Sequence, residues 1–305
     1  MLPRLAVAVC TATLLAAPGC GSPDSGPPPD NKVKLVLDTP NQPGLPERLR
    51  LASDPLVVPE GPPPSRTGLA ELRLAGSRQF SAGQLPAIKQ RISAPLIVVV
   101  DLRQESHLFV DGSAVSWRGP GNKANAALSH VEVLADEERK KVELTREPST
   151  TIQVGDHTST VSAPKTVQTE ITVVTDAGMG YLRLTVPDVE PPQDDDVDRY
   201  LRLFRELPSD QWVYFHGGEG MGRTTMFMAM HDMLHNAKQV SEDDIVRRQQ
   251  ILALQTARTD AERATMQWFP NGPQLAFLST FYKYVQQNAD GFQTAYSDWR
   301  RSGGK

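Results

Sequence analysis

The chain has 305 residues, 39% hydrophobic and 22% charged, with 36 acidic against 32 basic side chains. This suits a soluble globular protein of one large or two small domains, and the negative balance argues against nucleic acid as the main partner. The two cysteines, Cys10 and Cys20, leave everything after residue 20 without a disulfide, a thiolate metal site or a thiol nucleophile.

Residues 1–20, MLPRLAVAVCTATLLAAPGC, carry one arginine, an apolar run and then small residues. That is the shape of an export signal, too short to span a membrane. Ala17-Pro18-Gly19-Cys20 resembles a bacterial lipobox, which predicts lipidation at Cys20 and membrane attachment through that anchor alone. A plain cleaved signal is the alternative, and either implies an exported protein, as a lipoprotein one of the cell envelope. Removal of residues 1–19 takes away Arg4 and moves the charge from −4 to −5. Any phosphorylated ligand then needs a local positive site.

Residues 21–65 hold twelve of the 25 prolines and read as an extended tether. Within it, KVKLVLD (Lys32 to Asp38) can add one edge strand. A folded domain is expected over 66–295. PLIVVVDLR (Pro95 to Arg103) has the pattern of a buried central strand. Residues from about 145 to 176 alternate with turn signals and predict a small β-rich insert. GYLRLTVPD predicts another strand, and Asp194 to Asp196 suit the start of a helix after PPQ. QWVYFH (Gln211 to His216) is a strand leading into a glycine-rich loop and a helix from about Arg223. On that helix Met226, Phe227, Met230, Met233 and Leu234 form one apolar stripe, read as core packing. Further helices are expected after Ser241 as N-cap, around Ala261 to Trp268, and over PQLAFLSTFYKYVQQ. The alternation of strands and helices gives an α/β architecture.

Strand, then HGGEGMGRTT, then helix places four glycines where backbone amides can surround an anion at a helix N-terminus. Arg223 adds a guanidinium able to grip two phosphate oxygens. Two motifs compete for this string. Gly217-x4-Gly222-Arg223-Thr224 is one residue from a Walker A loop, with Arg for Lys. The cysteine-phosphatase loop H-C-x5-R-[ST] fits His216, Gly217, Arg223 and Thr224, with glycine for cysteine.

The surrounding blocks decide. DLRQESHLFVDGSAVSW (Asp101 to Trp117), VQTE (Val167 to Glu170), LRLTVPD (Leu182 to Asp188), LRLAGSRQFS (Leu72 to Ser81) and NKANAALS (Asn122 to Ser129) join the loop in resembling one family. It is the protein-tyrosine-phosphatase-like inositol polyphosphatases, or cysteine phytases, with paladin as a further relative. The resemblance runs from about residue 66 to 290. It implies a dual-specificity-like phosphatase fold, a central, mostly parallel sheet flanked by helices.

What the resemblance implies for the site is mixed. In such enzymes the loop cysteine attacks phosphorus, the arginine holds the equatorial oxygens, and an aspartate protonates the leaving alcohol. Gly217 stands at the nucleophile position, Asp188 at the general acid, and Gly218, Glu219, Gly220, Met221, Gly222, Arg223 and Thr224 form the phosphate-binding loop. A glycine cannot attack, and Thr224 and Thr225 have no evident base. The expectation is a pseudophosphatase that binds phosphate or a phosphorylated small molecule, with inositol phosphate the first candidate. Loss of a thiolate can even favour binding, since two unit charges about 4 Å apart interact by roughly 4 kcal/mol at an effective dielectric of about 20. Gly217 also tolerates unusual backbone angles. The alternatives are a residual hydrolase using water attack with Asp188 or Glu219, and a scaffold that binds nothing.

The sequence departs from the family at Leu108, usually glycine, at Val189, where the acid loop has a histidine, and at Glu219, which brings a carboxylate into the cradle. Arg103, His107 and His216 are candidate substrate contacts, although Asp101, Arg103, Glu105 and His107 can equally form a structural ion-pair network. His231 and His235 have the spacing of a zinc pair but no evident third ligand, so no metal and no cofactor is expected. Arg247 and Arg248 can reach the pocket from a later helix, but surface exposure is the default expectation.

Overall fold

A computed structural model describes residues 32–58 and 61–304. The expected export signal, with Cys20, and residues 21–31 lie outside the described residues.

PLIVVVDLR becomes β4 (Ile97–Asp101), with all five residues buried. Its neighbours are β10 (Gly180–Arg183) on one side and β11 (Trp212–Gly217) on the other, followed by β3 (Leu74–Arg78) and the edge strand β2 (Arg50–Leu51). The first four strands run parallel and β2 antiparallel. Successive side chains point to opposite faces. Val98, Val100, Val213 and Phe215 enter one core, while Ile97, Val99 and Tyr214 enter the other. Such two-sided burial is why these strands are nearly continuous apolar runs.

The first core is covered by α4 (Asp194–Glu206), α5 (Gly222–Asn236), α6 (Glu242–Leu254) and α8 (Gly272–Gln287). The second is covered by α1 (Leu85–Ile92) and α3 (Glu170–Asp176). Helix α2 (His130–Arg146) packs on a second sheet, and α7 (Asp260–Met266) and α9 (Tyr296–Arg301) complete the α-helices among the described residues. The expected caps form where the sequence put them. Asp194 to Asp196 open α4, and the Ser241 side chain accepts from the amide of Asp244 at the start of α6.

The second sheet runs β8 (His157–Ser162), β7 (Ser149–Val154), β1 (Lys34–Thr39), β6 (Ser113–Arg118), β5 (His107–Val110), β9 (Val167–Gln168). It changes two expectations. KVKLVLD is an interior strand, paired antiparallel with β6 and parallel with β7. Residues 32–58 are therefore part of the folded unit, because Leu35 and Leu37 pack against the apolar cluster around Leu108, Val115 and Ile152. The strand-rich stretch at 145–176 is not separate either: β7 and β8 extend this sheet through β1, and β9 closes its other edge on β5. Arg248, expected at the surface, is fully buried and paired with Asp232.

Candidate functional site

Strand β11 lies between β4 and β3 and delivers Gly217 beside Arg78, with His216 opposite Asp101. These are the carboxyl ends of parallel strands, where open α/β sheets form crevices. The loop that follows is held from outside by its carbonyls. Gly218 O accepts from the Gln79 amide at 3.3 Å, Glu219 O from Arg48 Nη1 at 3.1 Å, and Gly220 O from Arg50 Nη1 at 3.0 Å. A trans peptide sets its N–H opposite its C=O, so the next three amides face inward. They join the free amides at the start of α5 in a concavity suited to an anion. Gly220 is required for this turn. Its φ is +71°, and a Cβ there would lie 2.4 Å from Arg78 N and 2.6 Å from Ser77 C.

The concavity is a hollow of about 100 Å³, lined by residues 217–224, Asp188, Val189 and Phe269. Pockets that enclose whole small molecules are typically ~300–1,000 Å³, so this one suits a single anionic group. Gly217 lies outside the left-handed region, so its backbone does not demand glycine. A Cβ at Gly217 would sit 3.4 Å from Thr224 Oγ1 and 3.7 Å from Arg223 Nε, ordinary contact distances. The site has room for a side chain that the sequence does not supply.

Arg223 is placed by the first turn of α5 and held by Glu105. Its Nη1 donates to Glu105 Oε2 at 2.8 Å and its Nη2 to Oε1 at 2.9 Å, with Val186 O at 3.1 Å from Nη1. The pair is almost wholly buried. Burial alone pushes the Glu105 carboxyl up, but the guanidiniums of Arg223 and Arg103 outweigh it and hold it well below the usual range. Arg223 is thus a fixed cation with its fork oriented in advance.

Asp188 Oδ1 lies 3.3 Å from Arg223 Nη2, and Oδ2 accepts from Asn122 Nδ2 at 2.9 Å. It stands between the hollow and a second one of about 300 Å³ lined in part by Gln104, Asn122, Lys123 and Ser129. Val189 adopts φ 56°, strained for a β-branched residue, and its carbonyl accepts from Asn271 Nδ2 at 2.7 Å.

Arg103, His107 and His216 do not reach the hollow; all three are fully buried behind it. Arg103 donates to Glu105 at 2.8 Å and to Asp38 at 2.9 Å. His216 Nε2 meets Glu170 Oε1 at 2.5 Å. His107 Nε2 lies 3.0 Å from Asp101 and 3.3 Å from Glu170. Burial is the largest influence and works against a charged His107, yet the carboxylates around it, Asp101 foremost and Glu137 with it, together raise the imidazole to about 10. The ion-pair reading of the Asp101 to His107 cluster therefore describes these groups, with Arg183 and Glu170 as further members. Charged residues at a strand end cannot tell from sequence whether they face a ligand or one another.

Glu219 also behaves differently from its place in the motif. Its carboxylate is engaged by Arg48, Arg78 and Arg118 at 3.5, 3.5 and 3.8 Å. Sequence reasoning missed these arginines, and missed Arg50 and Glu105 as supports of the loop. Arg48 and Arg50 sit in the stretch read as tether. Glu105 was visible, two residues before His107, but the bond to Arg223 joins positions 118 residues apart.

A ring of inward amides closed by an arginine, set at the carboxyl end of a parallel sheet, is the cradle of the cysteine-dependent phosphatases, lacking the cysteine in this chain. Comparison with known proteins agrees. The PTP-like phytase family model, described by inositol hexakisphosphate, matches residues 100–235. The structure of a PTP-like phytase from Bdellovibrio bacteriovorus superposes with a TM-score of 0.67 at 30% identity, over 90% of this chain and 97% of that one. The PTP-like myo-inositol phosphatase of Mitsuokella multacida, solved with myo-inositol-(1,3,4,5)-tetrakisphosphate, gives a TM-score of 0.79 at 32% identity. Effector protein hopD2 of Pseudomonas syringae pv. tomato is 31% identical over 288 residues. This chain belongs to the PTP-like phytase family. It spans 91% of its own length in the last two comparisons but 48% of the Mitsuokella protein and 58% of the effector.

Proposed function

We propose that this protein is a pseudophosphatase, a phosphate-binding member of its family without cysteine-based turnover. One observation carries the reading: the cradle is fully assembled around a position, Gly217, that offers no nucleophile while leaving space for one. Loop amides, the α5 N-terminus and the oriented Arg223 all act on a bound phosphate without any reacting side chain. The ligand is a phosphorylated small molecule, and the inositol phosphate bound by the Mitsuokella relative supports that class. Direct water attack has less support. Glu219 is tied to three arginines, and Asp188 is held between Arg223 and Asn122.

Export with a lipid on Cys20 belongs to the same proposal and rests on the leader-like residues 1–20. No helix among the described residues is long and apolar enough to cross a membrane. Metabolic labelling with a radioactive fatty acid checks it: label is expected on the native chain and lost in Cys20→Ala.

The test of the function is phosphate release from para-nitrophenyl phosphate and from inositol hexakisphosphate by the native chain, Gly217→Cys and Arg223→Ala. The native chain is expected to be silent, with turnover appearing in Gly217→Cys. Release by the native chain that disappears in Arg223→Ala would overturn the proposal in favour of water attack.

A further inference from the structure

The outer side of the loop carries a second cationic feature that the cradle does not use. Arg48 precedes β2, Arg78 ends β3 and Arg118 ends β6, so the three guanidiniums come from three separate stretches of the chain. They converge on the Glu219 carboxylate, whose side chain is 41% exposed. None of these contacts is as short as the 2.8 Å bond between Arg78 and Glu47 or the 2.5 Å bond between Arg118 and Asp38. Arg48 Nε and Arg78 Nε are buried and make no hydrogen bond. Arg48 also meets Glu262 at 3.4 Å and Glu47 at 3.9 Å, so each guanidinium has a further carboxylate partner. At Glu219, however, all three stand 3.5 Å or more away, a spacing that an oxyanion with more oxygens can close.

The cluster also adjoins the cradle. A Cβ built on Gly218 would lie 3.6 Å from Arg223 Nη2 and 3.9 Å from Arg118 Nη2. Glu105 Oε1 is 3.5 Å from the same point, so the arginine inside the hollow and one of the three outside it meet around Gly218 and this carboxylate.

We propose that Arg48, Arg78 and Arg118 form a second oxyanion subsite and that Glu219 fills it as a tethered anion. The cradle then accepts the phosphate of a monophosphate ester and disfavours a ligand whose neighbouring phosphate must enter the same subsite. This rests on the cradle reading and names the ligand class it selects. The tether gives Glu219 a high effective concentration, and a second phosphate must displace it or sit beside its charge. Glu219 is a specificity-determining residue in the binding loop.

Titration calorimetry on the full chain tests this with two probes, inorganic phosphate and myo-inositol hexakisphosphate. Glu219→Gln keeps the size of the side chain and removes its charge. It is expected to bind the hexakisphosphate about tenfold more tightly than the native chain, the scale of one charge-assisted hydrogen bond. The gain is expected to vanish when Arg118→Gln is added. Equal hexakisphosphate affinity in the native chain and Glu219→Gln overturns the proposal, as does a gain that survives Arg118→Gln. The cradle reading fails separately. It is lost if Arg223→Lys binds inorganic phosphate as well as the native chain does, whatever Glu219→Gln does to the hexakisphosphate.

Discussion

The hollow over Gly217 opens to solvent and has no side chain at its floor, whereas the carboxylates and cations behind it are sealed and paired. Asp38, Asp101, Arg103, Glu105, His107 and Glu170 are each buried, and each has an opposite charge within hydrogen-bonding distance. The two layers depend on the sequence in different ways. Turnover in a cysteine phosphatase rests on one atom, so a single substitution removes it. The shape of the cradle rests on a network whose members fail expensively when separated, because an unpaired buried charge destabilises the whole domain. A chain can lose the first and keep the second.

Glu105 is where that distinction breaks most visibly. It anchors Arg223 from behind and shares Arg103 with Asp38. Glu105→Gln preserves shape and leaves two buried guanidiniums short of a counter-charge. It is expected to cost about 3–5 kcal/mol of stability, read by urea unfolding, and to weaken inorganic phosphate binding. A loss below about 1 kcal/mol would place it among surface ion pairs and remove the network as the support of the cradle.

His107 tests the same layer through pH. Its pKa is raised from 6.5 to about 10 in the folded chain. A raised folded pKa contributes stability that is fully present below the unfolded value and is lost as pH rises through the folded one. The stability advantage of the native chain over His107→Gln should therefore be largest near pH 6.5 and shrink toward pH 10. A gap that stays constant over this window would mean that the imidazole is not charged in the network.

Two glycines of one loop give a smaller and sharper contrast. Gly220 has φ +71° and no space for a Cβ, while Gly217 has an ordinary backbone and room. Gly220→Ala is expected to cost about 1–3 kcal/mol and to impair phosphate binding. Gly217→Ala should stay within about 0.5 kcal/mol of the native chain. Equal effects would mean that the loop adapts to both.

Much of the outer frame was legible in the sequence because its signals are local. The β-branched run of β4, the acidic start of α4, the Ser241 cap and the glycine loop each declare themselves within a few residues. What escaped is non-local. Prolines made residues 21–65 read as a tether, yet Lys34 pairs with Arg118, and Arg48 and Arg50 hold loop carbonyls about 170 residues away. The same limit hid the burial of Arg103, His107, His216 and Arg248. A charge reads as exposed until the partner that neutralises it is known.

Thr224 joins the two layers at the level of one hydroxyl. Its Oγ1 has a single long bond, 3.4 Å to Ser77 O, and lies 3.4 Å from where a Cβ on Gly217 would stand. A thiolate on that carbon would come within its reach, and hydrogen bonds to an ionised group are worth about 1.5–3 kcal/mol. In the native chain the hydroxyl has no such group to serve. Thr224→Val should then leave inorganic phosphate affinity within about twofold, a shift well under the ~1.4 kcal/mol of a tenfold change. In a Gly217→Cys background the same substitution should slow para-nitrophenyl phosphate turnover by about tenfold or more. A large loss of binding in the native chain would instead make Thr224 part of the cradle itself, and the line between the reacting position and its support would have to be redrawn one residue further along α5.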